Sequence, residues 1–236
     1  HLFTVVSGLD SAVVGENEVL GQVRRAWEVA QAEATAGPSV NRLFRHAIEV
    51  GKRARTETGI SRNTLSVSSA AVSLAERHLD TLQGRKVLIL GAGDVAQGMA
   101  RALAAAGVSD VAVANRTQAR AVELAAKVGG RPVTLPEVPD VLVGVDLLLT
   151  ATDSTEVHVA REDIEAVMEA RGGRPLVVVD VAVPRDVDPG VGLLPGVELL
   201  DMDSLKAFTE ASLHERRREV GKVQAILMEE IERFQL

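Results

Sequence analysis

Lys86-Val-Leu-Ile-Leu-Gly-Ala-Gly-Asp-Val-Ala96 is the stretch that decides the fold. Its apolar run ends on Gly91-Ala-Gly-Asp-Val-Ala96, a G-x-G-x-x-A turn placed after a predicted strand and before a predicted helix. Gly91 permits the tight turn, Gly93 lets the backbone approach a pyrophosphate, and Ala96 is small enough for close helix–strand packing. Phosphates would lie over the positive end of the helix. Gly91, Ala92, Gly93, Asp94, Val95 and Ala96 are therefore the candidate diphosphate cradle, the competing reading being a glycine turn with no ligand.

Outward from this turn, Val111–Ala114, Leu147–Thr150 and Leu176–Asp180 are further short apolar runs bounded by turn signals. Such runs suit strands buried on both faces. Predicted helices near 94–106, 118–128 and 160–171 lie between them, and the alternation predicts an α/β, Rossmann-like, doubly wound parallel sheet. Before it, helical patterns run from about Asn17 to Ala34, from Ser39 as an N-cap, and from Val67 to Leu82. After it, Asp203–Leu236 contains no proline, and Val220, Val223, Leu227, Ile231 and Phe234 recur at helical spacing. One helix there would extend about 50 Å and needs a second surface for its apolar stripe.

Composition narrows the function. The 236 residues carry 26 Lys and Arg against 33 Asp and Glu, a net charge of −7, which excludes a uniformly basic nucleic-acid wrapper. Residues 1–83 are balanced, nine basic against nine acidic, so the later residues hold the whole deficit. Cysteine is absent, which excludes disulfides, thiolate zinc sites and a thiol nucleophile within these residues. Aromatics are only 2%, too few for a base-stacking groove. His46, His78, His158 and His214 lack metal-ligand spacing, so no metal site is expected. No apolar run approaches a membrane span and no signal peptide is present, so a cytoplasmic location is expected. The chain opens on His1 and its first residues read as mid-domain sequence, so it is expected to be part of a longer protein.

The end of the second strand sets the expected cofactor. An NAD site usually places Asp or Glu there for the ribose 2′-hydroxyl. This chain has Asn115-Arg116-Thr117, where Arg116 can pair with a 2′-phosphate; NADPH is expected, and a solvated turn arginine is the alternative. Thr152 and Asp180, at the ends of the fourth and fifth strands, are candidate neighbours of the nicotinamide or its ribose. Asp180 could equally brace its loop.

His1-Leu-Phe, Ser7-Gly-Leu-Asp-Ser11, Gly15-Glu16, Gly21-Gln22, Arg53–Gly59 and Ser66-Val-Ser68 resemble the glutamyl-tRNA reductase family. The nucleotide turn, Asn115-Arg-Thr117 and Asp180-Val-Ala-Val-Pro-Arg-Asp-Val-Asp-Pro189 continue the resemblance over nearly the whole chain. It implies reduction of the glutamyl ester on tRNA to glutamate-1-semialdehyde with NADPH, at the entry to tetrapyrrole synthesis. It also implies a cysteine thioester, with that cysteine upstream of His1, so this chain alone is expected to be inactive. By the same resemblance His1 is catalytic, while Ser11, Glu16, Asn17, Glu18 and Gln22 bind the glutamyl moiety. Ser11 and Glu16 read equally well as helix-starting residues. Glu18 departs from the family's usual Gln.

The implied domains are a partial catalytic domain at 1–62, a connecting helix at 63–83, a nucleotide domain at 84–203 and the start of a long dimerisation helix at 204–236. Expected partners are glutamyl-tRNA, a second copy through the C-terminal helix, and the next pathway enzyme, an aminomutase. Arg42, Arg45, Lys52, Arg53 and Arg55 form a basic face that suits tRNA phosphates or is an ordinary solvated face. The alternatives are an NADPH oxidoreductase of shikimate-dehydrogenase type and a non-catalytic nucleotide- or tRNA-binding homologue. The first would need a catalytic Lys–Asp pair, and residues 1–83 offer no obvious one.

Overall fold

The computed structural model describes the chain except residues 12, 17, 62–65, 155–157, 211–216 and 236, and except the side chains at 210, 217, 218 and 235. Two compact units result: His1–Ser66 with Lys206–Leu236, and Val67–Leu205. Helices α1 (Leu2–Val6), α2 (Glu18–Ala32) and α3 (Pro38–Glu57) open the first unit. The second begins with α4 (Val67–Leu79), β1 (Lys86–Leu90), α5 (Asp94–Ala105), β2 (Asp110–Ala114) and α6 (Gln118–Val128). It continues with β3 (Arg131–Val133), α7 (Val138–Gly144), β4 (Leu147–Thr150), α8 (Arg161–Ala170), β5 (Leu176–Asp180) and β6 (Val197–Leu200). The tail is helical on both sides of 211–216, as α9 (Met202–Glu210) and α10 (Arg217–Gln235).

In the first unit, α3 starts two residues earlier than its sequence suggests. Gly37 is the N-cap in extended conformation and Pro38 occupies the first turn, where its missing N–H costs nothing, so Ser39 is not the cap. Ala47, Ile48, Val50, Gly51 and Ala54 line its buried face. Gly51 is required there: a Cβ would lie 2.8 Å from the Val6 carbonyl oxygen and 2.9 Å from Leu20 Cδ1. Phe3, Val6, Leu20 and Ile60 join this core, and Val223 and Leu227 of α10 complete it. The surface that the C-terminal apolar stripe needs is thus supplied within the chain. Polar contacts reinforce it, with Arg53 at 2.8 Å from Glu229 and His46 Nε2 at 3.1 Å from Glu230.

The second unit is a six-stranded parallel sheet in the order β3-β2-β1-β4-β5-β6. Val87 stands opposite both Val111 and Leu147, and Leu147 opposite Val177. These central strands are buried almost throughout, which is why their sequences are continuous apolar runs. The strand order reverses between β1 and β4, so the ligand crevice of this topology lies beyond Leu90 and Thr150. Elements β3, β6 and α7 have no counterpart in the sequence reading. Both strands are short sheet edges with interrupted apolar patterns, and β3 carries Pro132, which an edge tolerates.

Candidate functional site

At the crevice the chain leaves β1 through Gly91, whose φ of 123° belongs to glycine. Its N–H donates to the Ala114 carbonyl at 2.8 Å, and a Cβ on it would lie 2.3 Å from the Ala151 carbonyl oxygen. The turn is thereby held against the ends of both neighbouring strands. Gly93 follows as the extended N-cap of α5, with no side chain capping the helix. The first N–H groups of a helix lack intrahelical acceptors, so Asp94, Val95 and Ala96 present theirs at the crevice end. Ala96 is fully buried beneath them, as close helix–strand packing requires.

A cleft beside this turn is lined by Leu90, Asn115, Arg116, Thr117, Arg120, Leu135, Thr152, Asp153, Ser154 and His158. Asn115 donates from Nδ2 to the Thr117 carbonyl at 3.1 Å, which orders the turn, while Arg116 and Thr117 are exposed. No carboxylate stands at the end of β2. Arg120, one helical turn beyond Arg116, also lines the neighbouring groove formed with Ala92, Gly93, Asp94 and Gln97. Sequence reading missed this residue; it lies in the first turn of α6, directly after the Asn115-Arg116-Thr117 turn, so proximity to that turn was the available signal. A largely apolar groove of Leu90, Leu135, Val138, Pro139, Leu142, Val159, Ile164 and Val167, with His158 and Asp163 also lining it, continues from the cleft.

Asp180 favours the second of its two readings. It is 2% exposed, and its carboxylate accepts from Thr150 Oγ1 at 2.8 Å and from the Ala182 and Val187 N–H groups at 3.0 Å each. It braces the loop after β5. Thr152 does line the cleft, with its N–H donating to Asp186 Oδ2 at 2.9 Å and its hydroxyl donating to Asp186 Oδ1. Asp186 is fully buried, and that burial pushes its carboxyl above the ordinary range.

The first unit holds the other candidate residues. Ser11 donates to Glu16 at 3.3 Å, and the Glu16 carboxylate accepts from the Val19 N–H at 3.0 Å and from the Glu18 N–H. Glu16, 3% exposed, therefore acts as the cap of α2, the bland alternative of the sequence reading. Glu18 and Gln22 lie one turn apart at the start of that helix. Asn17 lies outside the described residues. His1 is exposed, with Nδ1 3.7 Å from Asp10.

The basic face is smaller than its sequence suggests. Arg55 donates inward to the carbonyls of Val6 at 2.6 Å, Gly51 at 2.9 Å and Glu16 at 2.8 Å, and burial lowers its pKa from the ordinary value. Arg53 is engaged by Glu57, Glu229 and Glu230. Arg42, Arg45 and Lys52 remain exposed, Arg42 with its guanidinium 5.3 Å from the Phe234 ring centre.

Strand order, glycine turn and the helix N-terminus together define a Rossmann-type protein built for a pyridine dinucleotide. Residues 73–208 match the Shikimate / quinate 5-dehydrogenase family, and residues 1–58 match the Glutamyl-tRNAGlu reductase, N-terminal domain, family. Over its whole length the chain is 46% identical to a glutamyl-tRNA reductase of Desulforudis audaxviator, and over 99% of its length 43% identical to that of Bacillus subtilis. It covers 53% and 51% of those proteins, about half of each. The solved glutamyl-tRNA reductase from Methanopyrus kandleri matches all of the chain and 59% of its own, at 41% identity and a TM-score of 0.61. The chain belongs to the glutamyl-tRNA reductase family, as its motifs imply.

Proposed function

We propose that this chain carries the nucleotide-binding half and part of the substrate pocket of an enzyme that reduces glutamyl-tRNA to glutamate-1-semialdehyde with NADPH, opening tetrapyrrole synthesis. The observation that carries this reading is the crevice at the β1–β4 reversal, where Gly91 admits no side chain and Arg116 replaces the usual ribose-binding acid. When bound, NADPH supplies the hydride. Asp94, Val95 and Ala96 hold its diphosphate by their N–H groups, Arg116 and Arg120 face its 2′-phosphate, and the apolar groove shelters the adenine. Glu18, Gln22 and Ser11 serve the glutamyl moiety, Glu16 fixing the helix that carries the first two. His1 is assigned a proton-handling role near the thiol of the complete protein.

The cofactor assignment is tested by calorimetry. NADPH should bind at least about tenfold more tightly than NADH, the equivalent of one charge-assisted hydrogen bond to the 2′-phosphate. Arg116→Ala should erase most of that preference, and equal affinities in the wild-type chain would refute it. A second expectation concerns turnover. The 236 residues contain no cysteine, so they form no thioester, and the purified chain should not reduce glutamyl-tRNA. Measurable semialdehyde from it would overturn the thioester route.

We assign tRNA phosphate contacts to Arg42, Arg45 and Lys52, whose exposure leaves their charges accessible. Dimerisation of the complete protein falls on the outer face of α10, where Met228 is 62% exposed, since the inner stripe is already packed. A monomeric complete protein by light scattering would count against this. Transfer of semialdehyde to a following aminomutase, in the cytoplasm, fits the same reading; among the described residues no helix is long and apolar enough to cross a membrane.

A further inference from the structure

We propose that Asp186 is the positioning residue of the nucleotide cleft, tying down both ends of the loop that follows β4 so that Thr152 and His158 face the dinucleotide. The inference rests on the nucleotide reading above. Asp186 lies in the loop after β5, far from the glycine turn in sequence. Its carboxylate takes both donors of Thr152, the N–H at 2.9 Å and the hydroxyl. Its own backbone carbonyl accepts from the His158 and Val159 N–H groups, at 2.8 Å and 3.0 Å. One residue thus anchors the loop on either side of 155–157, which lie outside the described residues. Ser154 is held at one remove, its N–H donating to Thr152 Oγ1 at 3.2 Å.

These contacts bear on binding because of what the anchored residues line. Thr152, Ser154 and His158 form the wall of the cleft on the β4 side, while Asn115, Arg116 and Thr117 come from the end of β2. A wall held in place before the ligand arrives has no ordering cost left at binding. The neighbouring Asp180 provides the contrast. It is also buried, and its carboxylate accepts three hydrogen bonds, but their donors Thr150, Ala182 and Val187 do not line the cleft. A break at Asp180 should therefore cost stability alone, and a break at Asp186 should cost nucleotide affinity as well.

The test measures NADPH affinity and thermal unfolding in the intact chain. Asp186→Ala removes both side-chain bonds and should weaken NADPH binding by about tenfold or more. Asp186→Asn can still accept the Thr152 N–H and donate to its hydroxyl, so it should stay within about threefold of wild type. Thr152→Val, isosteric but without the hydroxyl, should fall between them, and adding it to Asp186→Ala should cause less further loss than it does alone. Thr150→Val should lower the melting temperature with NADPH affinity unchanged. A folded Asp186→Ala chain that binds within about twofold of wild type would overturn the inference. Should that variant fail to fold, wild-type affinity in Thr152→Val would do the same. A wild-type chain that binds no NADPH removes the nucleotide reading and this inference together, whereas unaltered binding in the variants removes the inference alone.

Discussion

Gly91→Ala should destabilise the second unit by more than about 3 kcal/mol and abolish nucleotide binding with it. Two costs add. The backbone sits at φ 123°, where an L-residue is strained by about 1–3 kcal/mol. The new Cβ would also stand 2.3 Å from the Ala151 carbonyl oxygen and 2.9 Å from its carbon, and both are backbone atoms. Neither side can retreat easily. The Gly91 N–H is committed to Ala114, and the Ala151 N–H donates to the Leu90 carbonyl at 2.9 Å, so β1, β2 and β4 would all have to shift. Against a typical total of about 5–15 kcal/mol, the loss is large. Urea unfolding followed by far-UV circular dichroism measures it. The single tryptophan, Trp27, lies on α2 of the first unit, so its fluorescence separates the two transitions. The dichroism transition should move to lower urea while the Trp27 transition lags behind it. A change under about 1 kcal/mol would show that the turn is not sterically closed.

The same turn explains why so much of the fold could be read from the chain. Strands β1, β2, β4 and β5 are buried on both faces, and burial writes an unbroken apolar run that survives in one sequence. Edge strands carry no such mark: Arg131-Pro-Val133 and Val197-Glu-Leu-Leu200 are short and half polar. Of the cleft, the part local to one strand end was legible, namely Asn115–Thr117, as was the glycine turn beside it, Gly91–Ala96. What was not legible depends on where a side chain turns after the strand ends. Asp180 ends β5 and Asp186 lies in the loop that follows, yet the first reaches Thr150 and the second Thr152. Nothing in the spacing distinguishes them, because both partners come from elsewhere in the chain, Thr150 from the end of β4 and Thr152 from the segment after it.

The basic helix failed in a more instructive way. Arg55 follows Gly51 by four residues and so falls on the face that α3 presents to Val6. That signal was available in the helical period. Arg53 was readable only in part: Glu57 follows it by four residues on α3, but its other acidic partners lie 176 and 177 residues away on α10. Charge on a helix is accessible only where the tertiary fold leaves it exposed, which here means Arg42, Arg45 and Lys52.

Arg171→Met should cost about 3 kcal/mol or more, because several poorly solvated carbonyls lose a charged donor at once and one such hydrogen bond contributes about 1.5–3 kcal/mol. Arg171 is 4% exposed just past the end of α8, and its guanidinium works as a backbone organiser. Nη1 donates to the carbonyls of Leu142 at 2.5 Å, Val143 at 3.3 Å and Val145 at 2.6 Å, which are orphan acceptors at the C-terminal end of α7. Nε and Nη2 reach the Arg174 and Pro175 carbonyls at 3.0 Å and 2.5 Å, closing the turn before β5. Burial lowers its pKa from the ordinary value, and the nearby Arg174 charge acts in the same direction while Asp146 opposes both. The guanidinium nevertheless stays charged at neutral pH, because its intrinsic value is so high. Methionine keeps most of the stem but supplies no donor, so those carbonyls lose their partner where water reaches poorly. Arg171→Lys should recover less than about half of the loss, since three donors on one nitrogen cannot copy a planar fork spread over two loops. Because the acceptors are carbonyl dipoles and no carboxylate forms an ion pair with Arg171 among the described residues, the effect should change little between low and high salt. Urea unfolding at both salt concentrations checks each expectation. A lysine variant as stable as wild type would mean that positive charge at the helix end suffices, and that the fork geometry contributes nothing.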